Sequence, residues 1–165
     1  MNGNPDMRPA KYSVQLNVNG ADYEVEVEAR HTLVDTIRAQ CGLTGTHIGC
    51  EHGVCGACTV LVDDVPVRSC LMFAVQVNGT KVRTVEGLAT EGRLNALQQA
   101  FHDHHALQCG FCTPGMLMLA TWLFERGEAV TDDELREVVA SNLCRCTGYQ
   151  NILNAVRSVL DGEPA

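Results

Sequence analysis

The sequence CEHGVCGAC, residues 50–58, places three thiols of a chain with nine cysteines in one short loop, and Cys70 follows a little further on. Glycine tolerates positive φ and lets the backbone come close to other atoms. Amide N–H groups in a glycine-rich loop can therefore point at anionic sulfur atoms. We predict that this loop binds a metal centre through the thiols of Cys50, Cys55, Cys58 and Cys70.

The spacing of these cysteines, Cys-x4-Cys-x2-Cys with a fourth beyond, is the plant-type pattern for a 2Fe–2S cluster. Zinc is the competing metal, but structural zinc sites usually arrange their cysteines as two short knuckles separated by a longer insert. A disulfide-bonded loop is a third interpretation, and it requires an oxidising compartment. The spacing favours the iron–sulfur interpretation.

Composition limits the other possibilities. The chain has 165 residues, 45% hydrophobic residues and a net charge of −8 that is spread along the sequence, which argues against a nucleic-acid partner. The longest apolar run, residues 116–124, is too short to span a bilayer, so we predict no transmembrane segment. Residues 1–11 lack the apolar core of a secretion signal, which predicts a cytoplasmic location.

The periodicity changes near residue 88. Before it, residues 12–28 alternate around Asn19-Gly20, which predicts a β-hairpin, and a helix capped by Thr32 should follow. Further short strands are predicted within residues 59–67, 73–77 and 81–85. After residue 88 the period is helical, and it predicts four helices that form a bundle. These helices are expected at residues 94–105, 114–125, 131–141 and 150–160.

Two more pairs of thiols lie at joints between the predicted helices, Cys109 with Cys112 and Cys144 with Cys146. Neither pair is specific alone, because Cys-x2-Cys also occurs in redox and zinc sites. Cys-x-Cys is too short for an unstrained disulfide with itself, so both turns could converge on one site with four thiolates. Cys41 lies outside both sets and is predicted to be a small core residue.

With these motifs the chain resembles the small iron–sulfur subunit of the molybdenum hydroxylases. This is the xanthine oxidase family, which includes three-subunit bacterial carbon monoxide, quinoline and nicotine dehydrogenases. The resemblance rests on the first cysteine set, on QCGFCTPG at 108–115 and on NLCRCTGY at 142–149. It implies an α+β fold, with an N-terminal plant-ferredoxin-like β-grasp domain at residues 12–87 and a C-terminal four-helix bundle domain at residues 88–161. Each domain would hold one 2Fe–2S cluster.

The same resemblance implies roles for individual residues. The cluster nearer the molybdenum cofactor would be held by Cys109, Cys112, Cys144 and Cys146, and the cluster nearer the flavin by Cys50, Cys55, Cys58 and Cys70. Gln108 and Cys146 would contact the pterin. No residue of this chain would be catalytic.

The resemblance also implies partners. A large subunit would hold a molybdenum–pterin cofactor, a medium subunit would hold FAD, and the complex would be a dimer of heterotrimers. This chain would relay single electrons from molybdenum to FAD. A stand-alone ferredoxin-type carrier and a structural zinc protein remain as alternatives, the first because it needs only the first cysteine set.

Overall fold

The computed structural model describes residues 9–162. The polar segment 1–11, from which we predicted a cytoplasmic location, lies largely outside this range. The elements are β1 Lys11–Val18, β2 Ala21–Glu28, α1 Leu33–Ala39, β3 Thr59–Val62, β4 Val65–Arg68, β5 Lys81–Arg83, α2 Ala96–Asp103, α3 Thr113–Glu125, α4 Asp132–Ala140 and α5 Gln150–Leu160. Within the described residues, no helix is long and apolar enough to cross a membrane.

The first hairpin forms as its alternation predicts. Asn19 and Gly20 both take positive φ, 53° and 85°, as the tight turns favoured between paired strands require. Strand β1 alternates buried and exposed side chains, with Val14, Leu16 and Val18 on the buried face. The whole of β1 pairs with β2 in antiparallel register. One face of the hairpin therefore contributes to a hydrophobic core.

The five strands make one mixed sheet in the order β2-β1-β5-β3-β4. Strand β5 runs parallel to β1 and antiparallel to β3, so the chain crosses over to insert β5 in the middle. Helix α1 begins at the predicted cap, where the Thr32 hydroxyl accepts the Asp35 N–H at 3.2 Å. Its side chains Leu33 and Ile37 are fully buried and belong to the core of the sheet.

The strand predicted at residues 73–77 is wrong, because Ala74–Val77 forms a 3-10 turn. Ala74 and Val77 are both fully buried, so the buried positions are three residues apart rather than two. The Gln76 side chain also accepts the Phe73 N–H at 2.8 Å, which closes the turn. The strand predicted at residues 81–85 is confirmed for Lys81–Arg83, after which a second 3-10 turn begins.

The four predicted helices are present as α2 to α5, each within about a residue or two of its predicted ends. Asn95 caps α2, since its side chain accepts the Gln98 N–H at 2.8 Å. The Gln98 side chain in turn accepts the Asn95 N–H at 3.0 Å. Large side chains from the helices, including Phe101, Leu123 and Ile152, are fully buried in one cluster.

Strand β3 is where the sheet meets the helices. Leu61 of β3 is fully buried in the helical core, while its neighbours Val60 and Val62 belong to the core of the sheet. Arg83 of β5 reaches α3, and its two terminal nitrogens donate to the carboxylate oxygens of Glu125 at 2.9 and 2.5 Å. The two larger hydrophobic cores of residues 9–162 therefore share a boundary along β3.

Candidate metal centres

The first cysteine set is assembled by a loop and a hairpin. Cys50 and Cys55 lie in the loop that joins α1 to β3, Cys58 immediately precedes β3, and Cys70 follows β4. The hairpin register brings the last two together, because the N–H of Ser69, next to Cys70, donates to the Cys58 carbonyl at 3.3 Å. Cys58 and Cys70 are buried in one apolar cluster.

The glycines of this loop are needed for its shape. A Cβ at Gly49 would lie 3.0 Å from the Cys55 sulfur, and a Cβ at Gly53 would lie 2.4 Å from a Leu71 methyl carbon. Gly53 also has a φ of +84°, which a residue with a side chain rarely adopts. The Cys55 N–H donates to the Cys50 sulfur at 3.4 Å, as predicted for an amide in this loop.

The local environment shifts the pKa values of two thiols of the first set in opposite directions. The amide N–H groups of Cys55 and His52 lower the pKa of Cys50 to about 6. Burial, the neighbouring thiol of Cys58 and the charge of Cys50 together raise the pKa of Cys70 to about 11, with burial the largest cause. Cys50 and Cys58 therefore both lie close enough to Cys70 to change its pKa.

The second cysteine set lies between the helices. Cys109 and Cys112 precede α3, and Cys144 and Cys146 lie between α4 and α5. The sulfurs of Cys109 and Cys146 are 3.6 Å apart. Burial, together with the neighbouring thiol of Cys144, raises the pKa of Cys112 to about 12. The fold thus brings together the two pairs that are distant in sequence.

Polar groups surround Cys144. Burial alone would raise its pKa, but bonds from the Thr147 hydroxyl and from nearby backbone amides outweigh this and leave the pKa lowered. The Thr147 oxygen is 3.1 Å from the Cys144 sulfur. The Tyr149 hydroxyl accepts the Cys144 N–H at 2.8 Å and donates to the Asn142 carbonyl at 3.3 Å. Neither side chain was predicted from the sequence to have a role, although Thr147 directly follows the Cys-x-Cys pair and Tyr149 lies two residues further on.

The two cysteine sets lie side by side. The Leu143 N–H, next to Cys144, donates to the carbonyl of Cys55 at 2.8 Å. The Phe111 ring stacks on His47 with centroids 4.9 Å apart, and the His47 Nδ1 is 2.9 Å from the Phe111 carbonyl oxygen. One hydrogen bond therefore connects a residue of the first set to the turn that carries the second.

Solvent access differs among the site residues. Cys109, Cys146 and Gln108 are exposed, whereas Cys144 is buried. The ninth cysteine, Cys41, was predicted to be a core residue; it is partly buried and packs against the edge of the sheet core, and burial raises its pKa. Across residues 9–162, the nine thiols are free, and no three His, Cys, Asp or Glu side chains are gathered tightly enough to hold a single metal ion.

The donor chemistry of both sets fits a 2Fe–2S cluster. Each set offers four sulfurs, and a cluster divides four thiolates between two irons, so the sulfurs need not converge on one point. The loop of the first set leaves space where Gly49 lacks a Cβ and supplies an amide donor to the sulfur of Cys50. In the second set, a hydroxyl and a buried environment adjoin Cys144.

Comparison with known families agrees with this donor set. The family described as 2Fe-2S iron-sulfur cluster binding domain matches residues 16–89. The family described as [2Fe-2S] binding domain matches residues 84–157. The matched regions contain both cysteine sets, so the fold and the site define a 2Fe–2S protein.

Individual relatives narrow the class. Caffeine dehydrogenase subunit gamma of Pseudomonas sp. (strain CBB1) is 54% identical over 91% of this chain and 92% of the relative. The nicotine 6-hydroxylase small subunit of Paenarthrobacter nicotinovorans is 53% identical over 88% of both chains. A chain in the crystal structure of quinoline 2-oxidoreductase from Pseudomonas putida 86 has a TM-score of 0.86 and 48% identity, over 93% of this chain and 99% of that one. The chain belongs to the iron–sulfur subunits of the molybdenum hydroxylases.

Proposed function

We propose that this chain is the electron-transfer subunit of a molybdenum-containing hydroxylase. It would relay single electrons from a molybdenum–pterin cofactor on a large subunit to FAD on a medium subunit. The observation that carries the proposal is the pair of four-thiol sets, which lie side by side and are joined by the Leu143–Cys55 hydrogen bond. The names of the relatives, which call them subunits of dehydrogenases and of a hydroxylase, support a multi-subunit complex.

We propose that residues 12–87 form a β-grasp domain that holds one cluster and that residues 88–161 form a four-helix domain that holds the other. The separate hydrophobic cores of the sheet and of the helices support this division. The proposed ligands of the first cluster are Cys50, Cys55, Cys58 and Cys70, and those of the second are Cys109, Cys112, Cys144 and Cys146.

When bound, a 2Fe–2S cluster with four thiolate ligands accepts and releases one electron at a time. The chain's own residues would control that process through burial, amide hydrogen bonds and local charge. Cys58, Cys70 and Cys144 place one side of each site in the protein interior. With thiolates in all the coordination positions that the protein supplies to the irons, no position is left for a substrate. The substrate chemistry therefore belongs to a partner subunit.

The exposed surface supports an orientation for the second set. Cys109, Cys146 and Gln108 are open to solvent, and Phe111 and Leu143 beside them are exposed apolar side chains. Exposed apolar side chains grouped in this way are typical of a protein interface. We propose that this surface faces the large subunit, where Gln108 and Cys146 would contact the pterin.

The first set would then face the medium subunit, with exposed Val54 and Leu71 beside its loop. A cytoplasmic location is also proposed, because reduced thiols persist in a reducing compartment. The dimer of heterotrimers stays a prediction from the family resemblance.

The test compares two cysteine variants of the purified complex. We expect Cys109→Ser to remove the second cluster, which lowers iron from about four to about two atoms per chain. Reduction of the flavin by substrate, followed by anaerobic stopped-flow absorbance, should then be lost. Cys41→Ser is the matched control, because Cys41 lies outside both sets, and it should keep full iron and flavin reduction. Normal flavin reduction in Cys109→Ser would contradict the proposed route.

A further inference from the structure

The hydroxyl of Thr147 occupies a specific position between two partners. Its oxygen lies 3.1 Å from the Cys144 sulfur and accepts the backbone N–H of Tyr149, also at 3.1 Å. The proton arrangement follows once Cys144 is a metal ligand, because a thiolate has no proton to donate. The hydroxyl hydrogen must then point at the sulfur, while an oxygen lone pair is occupied by the Tyr149 N–H.

The surrounding turn holds this arrangement in place. Tyr149 has a φ of +69°, a left-handed conformation that residues with a side chain rarely adopt. Its hydroxyl in turn ties the Cys144 N–H to the Asn142 carbonyl. The Tyr149 side chain thus fixes the Cys144 backbone, and the Tyr149 backbone fixes the Thr147 hydroxyl. The Cys144 N–H is bound by the Tyr149 hydroxyl. The Thr147 hydroxyl is the side-chain group that meets the Cys144 sulfur.

Burial makes the hydrogen bond effective. Cys144 is 9% exposed, whereas the other thiol of its pair, Cys146, is exposed. Water competes weakly for a buried sulfur, and a hydrogen bond to a charged acceptor is stronger than one between neutral groups. One-electron reduction places one more negative charge on the irons and sulfurs without requiring a proton. A donor to a ligand sulfur therefore stabilises the reduced form more than the oxidised form.

We propose that Thr147 is a positioning residue that raises the reduction potential of the second cluster by donating a hydrogen bond to the Cys144 sulfur. This inference rests on the proposed function, in which Cys144 is a cluster ligand. Thr147 would act on the second cluster alone, because its hydroxyl contacts no sulfur of the first set among the hydrogen bonds of residues 9–162. The first cluster therefore serves as an internal reference in the same molecule.

The test is a redox titration of the purified complex, followed by the paramagnetic signals of the two clusters. Thr147→Val keeps the shape of the side chain but removes the donor. We expect the equilibrium constant for one-electron reduction of the second cluster to fall about tenfold, which lowers its midpoint potential by about 59 mV. The first cluster should keep its midpoint potential. Thr147→Ser restores the hydroxyl and should return the second midpoint to near its original value.

Thr121→Val is the matched control, because Thr121 is buried in α3 and its hydroxyl has no protein partner. It should leave both midpoints unchanged. Thr147→Ala is a second donor-free variant, used if Thr147→Val assembles poorly, and it should lower the second midpoint in the same way.

Full iron with an unchanged second midpoint, in either donor-free variant, would overturn the inference and leave the two clusters standing. Equal shifts of both midpoints would overturn it too, since the effect would then not be local. If the proposed function itself is wrong, the unmodified complex will lack labile sulfide or one of the two paramagnetic signals. This result distinguishes it from failure of the Thr147 inference alone.

Discussion

Replacing Gly56 by alanine should reveal how tightly the two cysteine sets are packed together. Gly56 has a φ of +72°, and an added Cβ would lie 1.8 Å from the side-chain oxygen of Asn142 and 3.1 Å from its Cα. Asn142 is 1% exposed and directly precedes Leu143, whose N–H binds Cys55. The new methyl group therefore cannot be accommodated by a simple movement of an exposed side chain.

Two costs add up in Gly56→Ala. The left-handed backbone conformation costs a residue with a Cβ about 1–2 kcal/mol. Overpacking a buried contact costs about 1–3 kcal/mol more. Gly127 is the control for the backbone cost, because it has a similar φ of +66° and open space around the position of a Cβ. The difference between the two variants therefore measures the cost of overpacking. Gly127→Ala should lose the backbone part only, and Gly56→Ala should lose about 2 kcal/mol beyond it.

The assay is the temperature at which the visible absorbance of the clusters is lost on heating. For a chain of this length, about 2 kcal/mol corresponds to a midpoint about 4–8 °C lower in Gly56→Ala than in Gly127→Ala. Adding Asn142→Ala to the Gly56→Ala chain should recover part of the difference, because it removes the nearest clashing atoms. Equal midpoints for the two glycine variants would refute the close contact between the two sets.

Two further predictions concern the boundary between the sheet and the helices. Hydrogen bonds from Arg83 lower the pKa of Glu125. The pair therefore stabilises the fold above the usual pKa of Glu, and this contribution is lost as the pH falls through the lowered pKa of Glu125. Arg83→Met should remove this acid-sensitive contribution to the free energy of unfolding, which is under about 1 kcal/mol because both groups are partly exposed. The measurement is the unfolding midpoint between about pH 3 and pH 7. A pH profile identical to that of the unmodified chain would contradict the prediction. Leu61→Ala should destabilise the chain by about 2–5 kcal/mol because Leu61 is fully buried where the two cores meet. The exposed Val65→Ala should change stability by less than about 0.5 kcal/mol, and similar losses in the two variants would argue against Leu61 as a core residue.

The features that could be predicted from sequence are the local ones. The Asn19-Gly20 turn and the Thr32 cap depend on neighbouring residues, and both are confirmed. The loop at residues 50–58 is recognisable because its cysteines and glycines are close in sequence. Residues 73–77 misled the prediction because Phe73, Val75 and Val77 alternate, whereas the buried side chains are Ala74 and Val77.

Contacts between distant segments could not be predicted. Nothing near Cys55 in the sequence indicates that its carbonyl accepts the N–H of Leu143. The stacking of His47 on Phe111 likewise joins two loops that are more than sixty residues apart in the sequence. Thr147 follows a cysteine pair in the sequence, but its bond to Cys144 requires the turn that Tyr149 fixes.

The central claim, two 2Fe–2S clusters held by eight cysteines, is tested most directly by metal and sulfide analysis of the native complex together with spectra of its reduced form. We expect about four irons and about four acid-labile sulfides per chain, with two distinct paramagnetic signals on reduction. Stoichiometric zinc without labile sulfide, or a single cluster signal with about two irons, would contradict it.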